Sequence, residues 1–180
     1  MPEVTPYQTL IRQEIEPNIV MPITNSLPKD FSIVRLTTVV LEQYLDPLLK
    51  IDHEMLAERW SSEHFTSDYP GKWEASRLAF VDTEMVGYMI ATFKMESVHV
   101  NRIAVGAAWR RSGIARLLLR EVAQTAIVAG KPLVTLKVAC QNKIARRFYQ
   151  RCGFTVHSAD DQNLSLQIVP QLLLVDTKTG

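Results

Sequence analysis

The 180-residue sequence has no apolar run approaching the ~20 residues that cross a bilayer, which excludes a helical membrane span. Nor does its N-terminus carry an unbroken hydrophobic core, because Glu3 and Glu14 interrupt it. No secretory leader is therefore expected, and the cytoplasm is the expected location. Cysteine is scarce: Cys140 and Cys152 are the only two, without C-x-x-C spacing. A zinc knuckle or redox pair is excluded, and both read as small buried hydrophobes. Glycine is scarce too, with seven residues. They form neither G-x-G-x-x-G nor a G-x-x-x-x-G-K-[ST] loop, so the common dinucleotide and P-loop sites are ruled out. His53-Glu54 begins like H-E-x-x-H, but position 57 is alanine, and no metal site is expected.

A strong overall charge is also missing, yet the net +1 conceals an uneven distribution. From Arg102 to Arg151 there are eleven Lys/Arg against one acid, Glu121, leaving nine bases against eighteen acids elsewhere. Such asymmetry within one domain points to an anionic partner on the basic side. The basic residues surround one short motif and no nucleic-acid module is visible, so nucleic acid is not the expected partner.

The remaining composition, 47% hydrophobic and 22% charged, is that of a globular domain. Residues 1–30 are proline-rich and lack sustained periodicity, and they read as an N-terminal arm preceding a domain over 31–180. "FSIVRLT" alternates as a strand, and "VVLEQYLDPLLKIDHEML" reads as one or two helices interrupted by Pro47. "ERWSSEHFTSDYPGKWE" reads as an aromatic-rich loop, "SRLAFVDTEMVGYMIATFK" as a hairpin turning at residues 82–84, and "SVHVNRIAV" as a further strand. Ile114, Leu118 and Val122, with Ala115, Leu119 and Ala126, then fall at helical spacing, and Gly130 stands where a C-terminal cap belongs. After the strand "LVTLKVAC", residues Ile144, Ala145, Phe148, Tyr149 and Cys152 mark one apolar face of a second helix, closed by Gly153. "FTVHS", "LSLQIV" and "LLLVD" are strand candidates. This order predicts an α/β (α+β) fold, a mixed and mostly antiparallel central sheet of six to seven strands with helices on both faces.

In "WRRSGIARLLL", residues 109–119, two arginines, a serine and a bare glycine lead straight into a helix. The first amides of a helix have no internal partners, and its dipole places partial positive charge there. A glycine at that point removes the side chain that would keep an anion away, and Arg110 and Arg111 add planar cationic donors suited to phosphate.

The spacing Arg110-x-x-Gly113-x-Ala115, between a strand and an amphipathic helix, resembles the acyl-CoA motif of the GNAT superfamily of N-acetyltransferases. "LKVACQNKIARRFYQRCGF" resembles the next block of that family, and "RIAV" its fourth strand. The resemblance spans about residues 31–158 and implies direct transfer of an acetyl group from acetyl-CoA to a primary amine, on a small molecule, a peptide N-terminus or a lysine. It also implies roles. The backbone of Ile103, Ala104 and Val105 would hold the pantetheine arm and the thioester oxygen. The amides of Arg111, Ser112, Gly113, Ile114, Ala115 and Arg116, with Arg110, would cradle the pyrophosphate. Asn142 would bond the cofactor arm, and Lys143, Arg146 and Arg147 are candidates for the nucleotide phosphates. Tyr149 would protonate the departing thiolate. His99 falls where members similar to the arylalkylamine acetyltransferases carry a histidine base, although their second histidine is Asn101 here. Members similar to the ribosomal-protein N-terminal acetyltransferases carry a glutamate in "LEV", replaced here by Lys137, and Glu96 is another candidate base. The acids and aromatics from Asp52 to Glu74 would form the amine side. The alternative reading is a catalytically inactive acyl-CoA-binding module. Dimerisation, through the last strands or the N-terminal arm, is left open.

Overall fold

The computed structural model describes residues 30–54 and 58–175; the expected N-terminal arm lies outside the described residues, apart from its last position. The chain runs β1 (Phe31–Arg35), α1 (Thr38–His53), α2 (Ser62–Thr66), α3 (Lys72–Ala75), β2 (Arg77–Val81), β3 (Glu84–Phe93) and β4 (Ser97–Val105). A 3-10 turn at Ala107–Trp109 leads to α4 (Ile114–Val128), then β5 (Leu133–Ala139), α5 (Lys143–Arg151), β6 (Thr155–Ala159), β7 (Asn163–Ile168) and α6 (Pro170–Leu174). The strands form one seven-stranded sheet in the order β1-β2-β3-β4-β5-β7-β6. β4 and β5 run parallel, joined by α4, and every other neighbouring pair is antiparallel.

Burial explains the layers. Leu36, Leu41, Leu48 and Ile51 pack with Leu78, Phe80, Tyr88 and Ile90 on one face of β2 and β3. Leu118, Leu119, Val122, Ala123 and Ala126 of α4 cover the other face, against Met89, Val98, Val100, Val134, Leu136 and Val138. β3 is therefore buried on both sides from Met85 to Thr92, which accounts for its almost unbroken apolar run. β7 alternates instead, with Leu164, Leu166 and Ile168 buried and Asn163, Ser165 and Gln167 half-exposed. The lone acid of the basic segment, Glu121, pairs at 3.2 Å with Arg77 of β2, tying α4 to the sheet.

Several elements depart from the sequence reading. The interruption expected at Pro47 is present but lies three residues upstream, where two helical segments of α1 meet in a kink at Tyr44 (φ −114°, ψ 16°). Pro47 lacks the N–H that would bond near that point, so the break falls upstream of the proline. The 58–74 stretch holds two short helices rather than a plain loop, α2 starting at a cap in which Ser61 and His64 bond reciprocally. "LLLVD" is not a strand, since Pro170 opens the short helix α6. Ile144 leaves the expected apolar face of α5 and is 86% exposed. Cys152 is buried, whereas Cys140 is only half-buried.

Candidate active site

The site begins with a failure of pairing. β4 and β5 are in register from Ser97↔Leu133 to Val100↔Leu136, and there the ladder ends. On the β3 side of β4 the register shifts, from Ile90↔Arg102 to Ala91↔Val100, so Asn101 is an extra residue. A bulge of this kind bends its strand and ends local pairing. Beyond it, residues 101–105 of β4 and 137–139 of β5 are unpaired with each other, and these two facing unpaired edges define a slot in the sheet. Asn101 is held by a 2.9 Å hydrogen bond donated by the Thr92 hydroxyl.

The β4 chain leads past this slot to the mouth of α4. Arg111 (φ 64°) and Gly113 (φ 91°) both occupy the left-handed region, which turns the loop amides outward. Among the described residues, no backbone hydrogen bond starts from the amides of Arg111, Ser112, Gly113, Ile114 or Ala115; the Arg116 amide is the first to bond, to the Gly113 carbonyl at 3.0 Å. A Cβ built on Gly113 would meet nothing within 4 Å. The glycine thus serves its backbone angle and leaves the approach to the amides open, the arrangement an anion needs. Ile114 is buried, so only its amide is presented there.

The expected phosphate ligands do not all point into this turn. Arg110 folds back, its Nε donating to the Val105 carbonyl (3.2 Å) and its Nη2 to the Glu54 carbonyl (3.4 Å). Arg111 is exposed at the turn, and the Ser112 hydroxyl donates to the Trp109 carbonyl. Of the pantetheine candidates, Ile103 and Val105 are half-buried along the slot and Ala104 is buried behind it. Asn142 caps α5, its side-chain oxygen accepting from the Ala145 amide at 3.0 Å. Arg146 donates to the Cys140 carbonyl at 2.8 Å, while Lys143 and Arg147 are exposed.

Tyr149 and His99 belong to opposite faces of the sheet. Tyr149 belongs to the helix-covered side, packed among the α4 core residues, with the Phe148 and Phe154 rings 5.2 and 5.6 Å away. Burial pushes its phenol far above the usual range, with the nearby Cys152 adding to the effect, so it remains protonated at physiological pH. His99 lies on the other face, its Nδ1 3.0 Å from the Thr135 hydroxyl, which in turn lies 3.1 Å from Ser97 Oγ. Burial lowers the His99 pKa, and the charges of Lys94 and Lys137 lower it further, so its imidazole is neutral at pH 7. Glu96 sits exposed in the turn before β4, at the end where β4 and β5 are still paired.

The acid-and-aromatic cluster is largely engaged within the fold. Asp52 is fully buried and accepts from Arg102 Nε (2.7 Å), the Tyr88 hydroxyl (2.6 Å) and the Trp60 amide (2.6 Å). Arg102, next to the bulge, also donates to the Glu58 carbonyl and lies over the Trp60 ring. The pair therefore fixes the loop after α1 against β4. Glu54 accepts from the Ala107 amide at 2.6 Å, and Asp68 from Trp73 Nε1 at 3.0 Å. Sequence reasoning missed Thr135 and Ser97 as partners of His99; their polar alternation along "SVH" and "VTLKV" was the available signal. A cleft of about 490 Å³ between α1, the β2–β3 turn and residues 106–109 carries charges of both signs from Asp46, Lys50, Glu54 and Glu84. Among the described residues no His, Cys, Asp and Glu cluster suited to a metal ion is found, and no helix is long and apolar enough to cross a membrane.

The fold that carries this site has known counterparts. Residues 43–154 match the acetyltransferase (GNAT) family. This chain belongs to the GNAT acetyltransferases. It is an acyltransferase enzyme, and a curated relative agrees: an uncharacterized N-acetyltransferase of Methanocaldococcus jannaschii is 26% identical over 121 residues, 64% of this chain and 78% of the relative. The GNAT fold is matched by Ard1 from Thermoplasma volcanium, with a TM-score of 0.68 at 18% identity over 78% of this chain and 97% of that one. Arabidopsis thaliana Naa50, solved with the bisubstrate analogue CoA-Ac-MVNAL, gives a TM-score of 0.65 at 18% identity over 77% of this chain and 98% of that one.

Proposed function

We propose that the protein is an acetyl-CoA-dependent N-acetyltransferase in which a primary amine and the thioester meet through the slot between β4 and β5. The observation that carries this reading is the slot itself, together with the unbonded amides from Arg111 to Ala115 that follow β4. Those amides suit a diphosphate, because they are left without backbone partners and no side chain at Gly113 obstructs them. The unpaired β4 edge from Asn101 to Val105 offers main-chain groups to an amide-bearing arm, as a neighbouring strand would. Such tethering aligns the thioester carbon with the incoming nitrogen, where much of the rate arises.

His99, neutral on the open face, accepts a proton from the amine directly or through a water, and Thr135 orients its ring. The amine nitrogen then bonds to the carbonyl carbon. When the carbon–sulfur bond breaks, Tyr149 supplies the proton that the thiolate takes up. Acid and base on opposite faces suit donor and acceptor arriving from opposite sides of the sheet.

The test follows free CoA from acetyl-CoA across a panel of primary amines. Turnover with at least one amine, reduced by about two to three orders of magnitude in Tyr149→Phe, is expected for a general acid. Calorimetric binding of CoA without thiol release from any amine would return the protein to an acyl-CoA-binding module.

A further inference from the structure

Among the described residues, no helix packs on the His99 face of the sheet beyond β4. α1 and α2 belong to the core on this side of β2 to β4, whereas α4 and α5 lie on the opposite side. The exposed part is a polar floor set by register: His99 faces Thr135, Thr135 faces Gln167, and Lys137 faces Ser165. A hollow of about 170 Å³ opens in this floor, lined by His99, Thr135, Lys137, His157, Ser165 and Gln167 together with Leu136 and Leu166. Its lining holds one lysine and two histidines and no acid.

We propose that this hollow is the acceptor subsite, and that Lys137 anchors a carboxylate or phosphate carried by a small primary amine. The inference rests on the acetyltransferase reading above and extends it to the class of acceptor. Three observations support it. Lys137 is the first residue of β5 beyond its pairing with β4, so it stands at the inner end of the slot. It is exposed, and neither ion pair found among the described residues involves it. Asp160, the acid whose carboxyl it influences, is already committed to the Gln162 and Asn163 amides at 2.9 and 2.7 Å.

The third observation is electrostatic. Burial, with the charges of Lys94 and Lys137 adding to it, holds His99 toward its neutral form, so two lysines place positive charge near the base. An amine arriving as its ammonium ion is repelled by that charge unless it brings its own negative charge. An acceptor with an anionic group near its nitrogen meets both requirements: the anion pairs with Lys137, and the amine is left at the slot beside His99. A lysine suits this role as a mobile point charge that accepts either carboxylate or phosphate.

The experiment measures thiol release with matched acceptors: amino acids against their amides, aminoalkyl phosphates against the parent amino alcohols, and short peptides with acidic or neutral second residues. The anionic member of each small-molecule pair is expected to show kcat/KM at least about tenfold higher. The difference should vanish in Lys137→Met and reverse in Lys137→Glu, while the KM for acetyl-CoA and the thermal midpoint stay close to wild type. The carboxylate and phosphate arms identify which anion is preferred. Equal rates within every pair, with turnover intact, would overturn the anchor and leave the acetyltransferase reading standing. A preference confined to acidic peptides would overturn the small-molecule acceptor. No thiol release from any amine would overturn both readings.

Discussion

His99 and Tyr149 are set apart by their surroundings more than by their intrinsic chemistry. Both are displaced toward their neutral forms, as the proposed base and the proposed acid each require. The sign for activity follows. As the proposed base His99 must be unprotonated, and its pKa lies below the ordinary histidine value of ~6.5, so kcat/KM should be level through neutral pH and fall only on the acid side of that value. Replacement by glutamine should abolish the acid limb and lower the plateau. A limb unchanged in His99→Gln would assign the base elsewhere. Both residues could be located from the sequence by block spacing, but their environments could not. Thr135 lies 36 positions from His99 in the chain, and the register that joins them depends on a parallel crossover through α4.

At the scale of elements, the turn into α4 separates folding from binding. A non-glycine residue at φ 91° costs about 1–2 kcal/mol, while nothing crowds the position. Gly113→Val should therefore fold with a modest loss of stability by chemical denaturation, yet bind CoA at least about tenfold more weakly by calorimetry, because its side chain stands before the amides. Equal binding by the variant would remove the diphosphate from this turn. α4 itself was plain in the sequence, its buried positions recurring every three to four residues up to the left-handed Gly130. The short helices α2, α3 and α6 were not. Each has five residues or fewer and depends on local caps or a leading proline rather than on a periodic apolar face. The bulge at Asn101 was equally hidden: the strand pattern runs through it, and only the pairing with β3 reveals the additional residue.

Across the whole molecule, the Asp52–Arg102 pair joins distant parts of the chain. Burial alone would raise the Asp52 pKa, but bonds from Arg102, Tyr88 and the Trp60 amide, with the Arg102 charge, hold it below the ordinary carboxylate value. A depressed carboxylate stabilises the fold above its unfolded-state pKa of about 4, and that contribution disappears as pH falls through the folded value. Asp52→Ala leaves the arginine without its partner and should cost about 3–5 kcal/mol near neutral pH. The difference from wild type should narrow in strongly acidic solution, as measured by urea denaturation at a series of pH values. A pH-independent difference would mean that packing, not charge, is what Asp52 provides. The sequence suggested that Asp52 belonged to a surface for amines, since a row of acids among aromatics looks the same whether or not one of them is matched by an arginine 50 positions away.

Where the ladder between β4 and β5 stops, the protein has a seam: four strands on one side, three on the other, joined there by only four residue pairs. An acyl carrier lying along that seam would act as a stitch, lending main-chain partners to edges that lack them. Amide hydrogens along residues 101–105 should then exchange markedly more slowly once CoA is added, while those at the centre of β3, already enclosed by both layers, should hardly change. Occupancy of the slot and cohesion between the two leaves of the sheet would be the same event seen from two sides.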